Sequence, residues 1–286
     1  MGATPEQVQT SYDGGNEFFR LWLDEGMSYT GAMFEGDEPL ESAQRRKLAW
    51  LADAAGVRPG ASVLDIGCGW GACLEYLARE RGVTRGHGIS LSPAQIAEVE
   101  RRGLPGVGAS CVSYASFRPA EPFDALISIG MLEHVVAPEE AHAGRSVEIY
   151  RRYFRLAQGF ARPGARFGLQ TIVRDRIPRI AADARELGWA SRMIFPGSIA
   201  PRLEDVVVAV APHWEILALC TGRDDYRRTC EAWLARLRQN EGIIRDRFGG
   251  ERFEEYERYL AACVRSFAMG YVSLCRFALR RIDGGE

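Results

Sequence analysis

The chain predicts an α/β fold: a doubly wound parallel sheet with helices before it and a helical lid insertion within it. Three observations carry that prediction. From residue 62 onward, short apolar runs alternate with amphipathic ones, the signature of repeated βα units. The first apolar run ends in Asp65-Ile66-Gly67-Cys68-Gly69-Trp70-Gly71, a glycine-rich turn that lets backbone amides approach a ligand where a Cβ would block them. The run Phe123-Asp124-Ala125-Leu126-Ile127-Ser128-Ile129 is apolar on both faces, as a central parallel strand must be.

Residues 1–60 read as an N-terminal helical cap, with Phe18, Phe19, Leu21, Trp22 and Leu23 on an aromatic-rich segment and an amphipathic run over 40–54 that stops at Gly56 and Pro59-Gly60. Residues 61–286 form the sheet-bearing domain. Strands are expected over 62–66, 85–89, 107–112, 123–129 and 165–172, and helices over 72–81, 93–102 and 145–160. Ser92 is the N-cap of the second of these helices and Pro93 its first residue. The stretch 173–202 breaks the alternation with mixed polar and aromatic residues and is expected to be a helical insertion or lid. Beyond it come a helix from 203, a strand from 214, a long helix over 226–248, another over 253–271 and a closing strand over 274–280.

With 47% hydrophobic and 26% charged residues, the composition is that of a soluble globular protein. A net charge of -2 and a pI near 6.2 argue against nucleic acid, which demands a basic face. Lys47 is the single lysine among 36 cationic side chains, a bias that reads as one of coding composition. The seven cysteines have no CxxC pair and no metal-ligand spacing, so they are expected as reduced thiols. No signal segment or membrane span is seen, and the expected location is the cytoplasm. Composition leaves the oligomeric state open.

A glycine turn alone is shared by several nucleotide-binding folds. A dinucleotide site prefers an acid about 20 residues further on, yet the second strand ends Gly88-Ile89-Ser90 without a carboxylate, and the acid, Asp65, precedes the glycines. That arrangement suits a cofactor with an amino-acid arm and no pyrophosphate, S-adenosyl-L-methionine.

Further motifs make the resemblance specific. They are Ser11-Tyr12-Asp13-x-x-Asn16-x-Phe18-Phe19, Met27-Ser28-Tyr29-Thr30, Ser90-Leu91-Ser92-x-x-Gln95, Ser128-Ile129-Gly130-x-x-Glu133-His134, Phe195-Pro196-Gly197, Tyr226 with Thr229, and Tyr259-Leu260-x-x-Cys263-x-x-x-Phe267-x-x-Gly270-Tyr271. In this order they resemble the cyclopropane-fatty-acid and mycolic-acid cyclopropane synthase family, nearly end to end. The resemblance implies a class I methyltransferase, Rossmann-like sheet, with S-adenosyl-L-methionine as donor and S-adenosyl-L-homocysteine as product. It implies that Tyr29 and Thr30 contact the methionine part and that Gly67 and Gly69 line the turn. Ser90, Leu91 and Gln95 would border the ribose or the methionine carboxylate, and Ile129 and Gly130 the adenosine. Tyr114 stands for a tryptophan beside adenine and keeps an aromatic face.

In that family a bicarbonate ion acts as base, held by a Cys, a Glu, a His, an Ile backbone and a Tyr. Glu133, Ile172 and Tyr226 match, whereas Gly31 stands for the cysteine and Gln170 for the histidine. Ser11 replaces a histidine near the substrate entrance. These departures suggest an altered acceptor. The first expectation is C-methylation of an alkene in an apolar small molecule, with Glu133, Tyr226 or Gln170 taking or relaying the proton. N-methylation of a small amine is the runner-up, cyclopropanation of a lipid acyl chain a further alternative, and a silent cofactor-binding scaffold the different-class one. Arg174, Arg176, Arg179 and Arg192, if they converge on the pocket, would suit a phosphorylated acceptor. His134 is expected to brace its loop rather than react.

Overall fold

The computed structural model describes residues 2–12 and 15–283, with the backbone alone for Thr10 and Ser11. Asp13 of the first motif and the side chain of Ser11 therefore lie outside the described residues.

Helices α1 (Pro5–Tyr12), α2 (Asn16–Arg20) and α3 (Leu40–Ala54) precede strand β1 (Ser62–Ile66). The alternation then runs α4 (Ala72–Glu80), β2 (Arg85–Ser90), α5 (Pro93–Arg101), β3 (Val107–Cys111) and β4 (Phe123–Ile129). A 3-10 turn (Leu132–His134) and the short α6 (Pro138–His142) lead into α7 (Ser146–Phe160) and β5 (Ala161–Arg174). Next come α8 (Ala181–Met193), α9 (Leu203–Val210), β6 (Trp214–Thr221), α10 (Arg223–Gln239), α11 (Glu241–Phe248), α12 (Gly250–Ala268) and β7 (Val272–Arg281). Among the described residues no helix is long and apolar enough to cross a membrane.

The seven strands form one sheet in the order β3-β2-β1-β4-β5-β7-β6. β1 pairs in parallel with β2 on one side and with β4 on the other, so strand order reverses at β1. That reversal opens a crevice at the carboxyl ends of the strands, where Ile66, Ser90 and Ile129 end. β1 is buried at every residue, and β4 nearly so, which is why both read as uninterrupted apolar runs. α5 begins as its sequence dictates: the Ser92 hydroxyl accepts from the Gln95 amide at 3.2 Å, and Pro93 follows. α7 packs through Tyr150, Tyr153, Phe154, Ala157 and Phe160, a 3-4 spacing that places them on one face.

Three local expectations need correction. The sheet is not wholly parallel, because β7 runs antiparallel to both β5 and β6: after α12 the chain reverses at Gly270, at φ 68. The long helix expected over 226–248 breaks at Asn240, whose side-chain amide donates to Leu21 O at 2.8 Å and Arg236 O at 3.0 Å, competing with the helical ladder. β5 begins at Ala161 rather than 165. The stretch after β5 contains the helix α8.

The N-terminal segment shares its core with the C-terminal helices. Phe18, Phe19, Trp22 and Leu23 pack with Trp233, Tyr256, Leu260 and Phe267, with the Phe18 and Tyr256 rings 4.6 Å apart edge to face. Of this block Phe267 reaches the crevice, and a second core includes residues of α7, α9, β5 and β7.

Candidate active site

The crevice is a cavity of about 920 Å³, at the upper end of what small-molecule sites occupy. At one end lies the glycine turn. Gly67 and Gly69 hold positive φ, 85° and 52°, a region open to glycine at little cost. A Cβ on Gly69 would meet nothing within 4 Å, so this turn presents bare backbone to the cavity. Gly71, at φ 88, starts α4. Where β2 ends, the Ser90 hydroxyl donates to Gln95 Oε1 at 2.7 Å and accepts from the Ser92 amide at 3.2 Å. Tyr114 stands edge to face with Tyr153 at 5.1 Å, and the Tyr153 hydroxyl donates to Ser128 at 3.0 Å.

Beneath the turn sits a buried charged cluster. Asp65 is 1% exposed, and its Oδ1 has no hydrogen-bond partner. Burial pushes its carboxyl up to about 7, against the Cys73 thiol and the Lys47 ammonium, which favour the ionised form. Lys47, also 1% exposed, donates to Thr30 Oγ1 at 2.9 Å. Gln44 donates to Thr30 O at 2.9 Å. One face of α3 thus pins the Tyr29-Thr30 turn against the cavity.

The middle of the cavity holds Glu133. Its Oε1 accepts from the Ile172 amide at 2.6 Å, while Oε2 is shut from solvent and has no partner. Burial raises this carboxyl to about 7, opposed first by the Ile172 N–H. Tyr226 lines the same cavity, stacked on Phe267 with centroids 4.4 Å apart and planes 15° apart. His134 is fixed at both nitrogens, by the Tyr12 hydroxyl at 3.0 Å and Ser198 at 2.7 Å, and burial lowers it to about 4. It is a neutral brace between α1 and the 195–199 loop.

The predicted site residues Tyr29, Thr30, Asp65, Gly67, Gly69, Ser90, Leu91, Gln95, Tyr114, Ile129, Gly130, Glu133 and Tyr226 all line this one cavity. Gln170 does not. Its amide donates to Gly31 O at 3.1 Å and accepts from Arg276 Nε at 2.8 Å, so both ends are committed and neither can relay a proton to the cavity. Of the four arginines, only Arg174 lines it; Arg176, Arg179 and Arg192 are exposed elsewhere, and the convergence that would suit a phosphorylated acceptor does not occur. Sequence reasoning missed Lys47 as a cavity residue, together with the closure of one wall by the 2–8 segment and the role of Arg276.

The fit of two groups follows from this geometry. An amino-acid-bearing nucleoside fits: bare backbone at the turn, an orphaned buried carboxylate oxygen on Asp65 and an aromatic face at Tyr114 are the features it needs. A bicarbonate held as the resemblance implies does not fit. A Cβ at Gly31 would lie 2.6 Å from Tyr226 Cδ2 and 2.8 Å from its Cγ, so the tyrosine ring fills the space of the missing cysteine side chain. The Ile172 amide is spent on Glu133, and Gln170 lies outside the cavity lining.

Sequence and structure comparisons with known proteins point to one group of proteins. A family profile described as mycolic acid cyclopropane synthetase matches residues 3–277. Cyclopropane mycolic acid synthase 2 of Mycobacterium bovis is 32% identical over 295 residues, spanning 96% of this chain and 94% of that protein. The cyclopropane-fatty-acyl-phospholipid synthase of Escherichia coli is 30% identical over 272 residues, spanning 94% of this chain and 66% of that protein. Among solved structures, mycolic acid cyclopropane synthase CmaA1 complexed with SAH and CTAB superposes with a TM-score of 0.88 at 28% identity, over 98% of this chain and 99% of that one.

Proposed function

We infer the activity from one premise: the chain belongs to the mycolic acid cyclopropane synthetase family. It is an enzyme of the S-adenosyl-L-methionine-dependent methyltransferase class. Its reaction, on our reading, is methyl transfer to an alkene carbon of a long apolar acceptor, followed by loss of a proton to Glu133. When bound, S-adenosyl-L-methionine supplies an electrophilic methyl group and leaves as S-adenosyl-L-homocysteine. Tyr29, Thr30, Asp65, Gly67, Gly69, Ser90, Leu91, Gln95, Tyr114, Ile129 and Gly130 would hold it, because they surround the turn and its orphaned carboxylate.

The observation that carries the reading is Glu133. A carboxylate buried in an apolar cavity, with one oxygen fixed by a backbone amide and the other unpaired, is oriented and poised as a base near neutral pH. When the alkene π pair forms the new carbon–carbon bond, the neighbouring carbon becomes cationic. The face of the Tyr226 ring can stabilise that charge, and Glu133 Oε2 takes the proton. If the proton leaves the transferred carbon, the C–H pair closes a three-membered ring; if it leaves the acyl carbons, a methylated alkene results. Holding the reactants in line is itself a large contribution, about 7–11 kcal/mol in well-oriented systems.

The relatives, named for mycolic acids and fatty-acyl phospholipids, favour ring closure on an acyl chain over a small metabolite. Methylation without ring closure is a second reading, favoured by the changed surroundings of Glu133, where the Tyr226 ring occupies the position-31 side-chain space. The test is transfer of labelled methyl from S-adenosyl-L-methionine into vesicles of cis-unsaturated phospholipid and into free unsaturated fatty acid, in bicarbonate-free buffer. Label in the acyl fraction is expected; label entering only an amine or a small isoprenoid panel would overturn the acceptor class.

A further inference from the structure

Residues 174–185 read Arg-Asp-Arg-Ile-Pro-Arg-Ile-Ala-Ala-Asp-Ala-Arg, four cations against two acids in a chain whose net charge is only -2. One of the acids is spent inward, since Asp183 accepts from Arg265 Nε and from the Tyr271 hydroxyl, both at 2.6 Å. Among the described residues none of the four arginine side chains has a hydrogen bond or an ion pair. Between them Ile177 is 83% exposed, more than any other large apolar side chain described, and Ile180 is exposed as well. The base of this loop is held: the Arg174 amide donates to Pro201 O at 2.9 Å, and the Asp175 and Arg176 amides donate to Tyr271 O at 2.9 and 3.3 Å. The loop joins two elements of the cavity wall, β5 through Ile172 and Arg174 and α8 through Leu187, Ala190 and Ser191, so it stands at the cavity's rim. Arg174 carries the positive charge inward, with its Nε buried and without a partner.

We propose that this segment docks the enzyme on an anionic lipid bilayer, with Ile177 and Ile180 entering the headgroup region and Arg176, Arg179 and Arg185 meeting the lipid phosphates. The proposal rests on the acyl-acceptor reading and adds where the acceptor is met: at a membrane face beside the cavity rim, so that an acyl chain passes into the cavity without crossing water. An apolar tip flanked by cations is the pattern of an interfacial anchor, whose affinity combines buried apolar area with attraction to anionic lipid. With the whole chain nearly neutral, the attraction is local and fixes which face meets the membrane. An acidic protein is the poorer complement, because a stable protein interface takes about 800 Å² from each side, and two isoleucines at a loop tip offer no such apolar area.

The experiment measures partition of the full chain onto vesicles by flotation. The vesicles are dimyristoyl-phosphatidylcholine alone or mixed with dimyristoyl-phosphatidylglycerol, so their saturated chains offer no alkene and binding is read apart from chemistry. Wild type is expected on the anionic vesicles and not on the neutral ones, with binding falling as salt rises. Each arginine at the surface is worth about fivefold in partition, so the double variant Arg176→Gln/Arg179→Gln should bind about 25-fold more weakly. Ile177→Ser leaves the charge unchanged and should lose about tenfold or more, the scale of one unburied isoleucine. All three positions are exposed, and melting curves matching wild type show that the variants are folded. Equal binding to both kinds of vesicle, or an unchanged partition in either variant, overturns the proposal. Absence of wild-type binding to any vesicle also overturns it and leaves an acidic protein as the complement of these residues. Methyl transfer is scored separately on cis-unsaturated fatty acid dispersed without vesicles. Its failure removes the acyl reading, whereas transfer without vesicle binding removes the docking surface alone.

Discussion

Gly31→Ala puts a single methyl group where the structure has no room for one. Its Cβ would sit 2.6 Å from Tyr226 Cδ2, 2.8 Å from Cγ and 3.1 Å from Leu274 Cδ2. Ordinary contact begins near 3.4 Å, so the ring would have to retreat by most of an ångström. It cannot do so freely, because it is 7% exposed and stacked on Phe267. Overpacking of this kind costs about 1–3 kcal/mol. Gly31 does not hold a positive φ, so alanine is free of backbone strain and brings the usual unfolded-state gain of about 0.4–1 kcal/mol. The mid-range values, about 2 less about 0.7 kcal/mol, leave a net loss of about 1.3 kcal/mol, which for a protein of this size lowers Tm by roughly 3–5 °C. Calorimetry on Gly31→Ala measures it, and the same substitution in a Tyr226→Ala background should become neutral or stabilising. An unchanged or raised Tm in the single variant would refute the claim that Tyr226 fills the position-31 space, and with it the argument against bicarbonate.

Other consequences follow from the same geometry. Glu133→Gln should lower turnover by about 10²-fold or more, the scale of a lost acid–base group, while leaving S-adenosyl-L-homocysteine affinity nearly intact; unchanged turnover removes Glu133 from the chemistry. Because its carboxyl is raised to about 7 and only the ionised form accepts a proton, kcat/KM in wild type should climb as pH rises through about 7, and this limb should vanish in Glu133→Gln. The stability sign is the reverse: the native state favours the protonated form, so this group's contribution falls as pH rises from the ordinary Glu range to above 7. Arg276→Met should lower stability by about 3–5 kcal/mol in urea unfolding, because it strips Gln170, Asp225 and the Ala32 carbonyl of a buried partner; a loss under about 1 kcal/mol would show that the network is dispensable.

Much of the fold was legible because its signals are local. β1 and β4 are buried on both faces and read as unbroken apolar runs, α5 announced itself with Ser92 and Pro93, and the glycine turn fixed the end of the sheet where the site would lie. The antiparallel β7 was not legible, since a strand's direction depends on where the preceding helix delivers it. The break at Asn240 depends on a carbonyl 219 residues away, at Leu21. Within the site, the residues that line the cavity, Glu133 among them, were readable from motif order, while Gln170 was expected there and lies outside the lining because its partner, Arg276, is 106 residues downstream. Lys47 carried no local signal, since a lysine on an amphipathic helix looks like any solvated one. Only its burial and its hydrogen bond to Thr30 show that it faces inward.

In the proposed reaction a methyl carbon is joined to an alkene and loses a proton as the ring closes. The decisive measurement supplies S-adenosyl-L-methionine with a trideuterated methyl group and weighs the product formed from a cis-unsaturated fatty acid. Ring closure keeps two deuterium atoms on the added carbon and yields a saturated cyclopropane. A product that keeps three deuterium atoms and a double bond would contradict ring closure and establish simple alkene methylation, and an acyl product with no label at all would contradict the acceptor class.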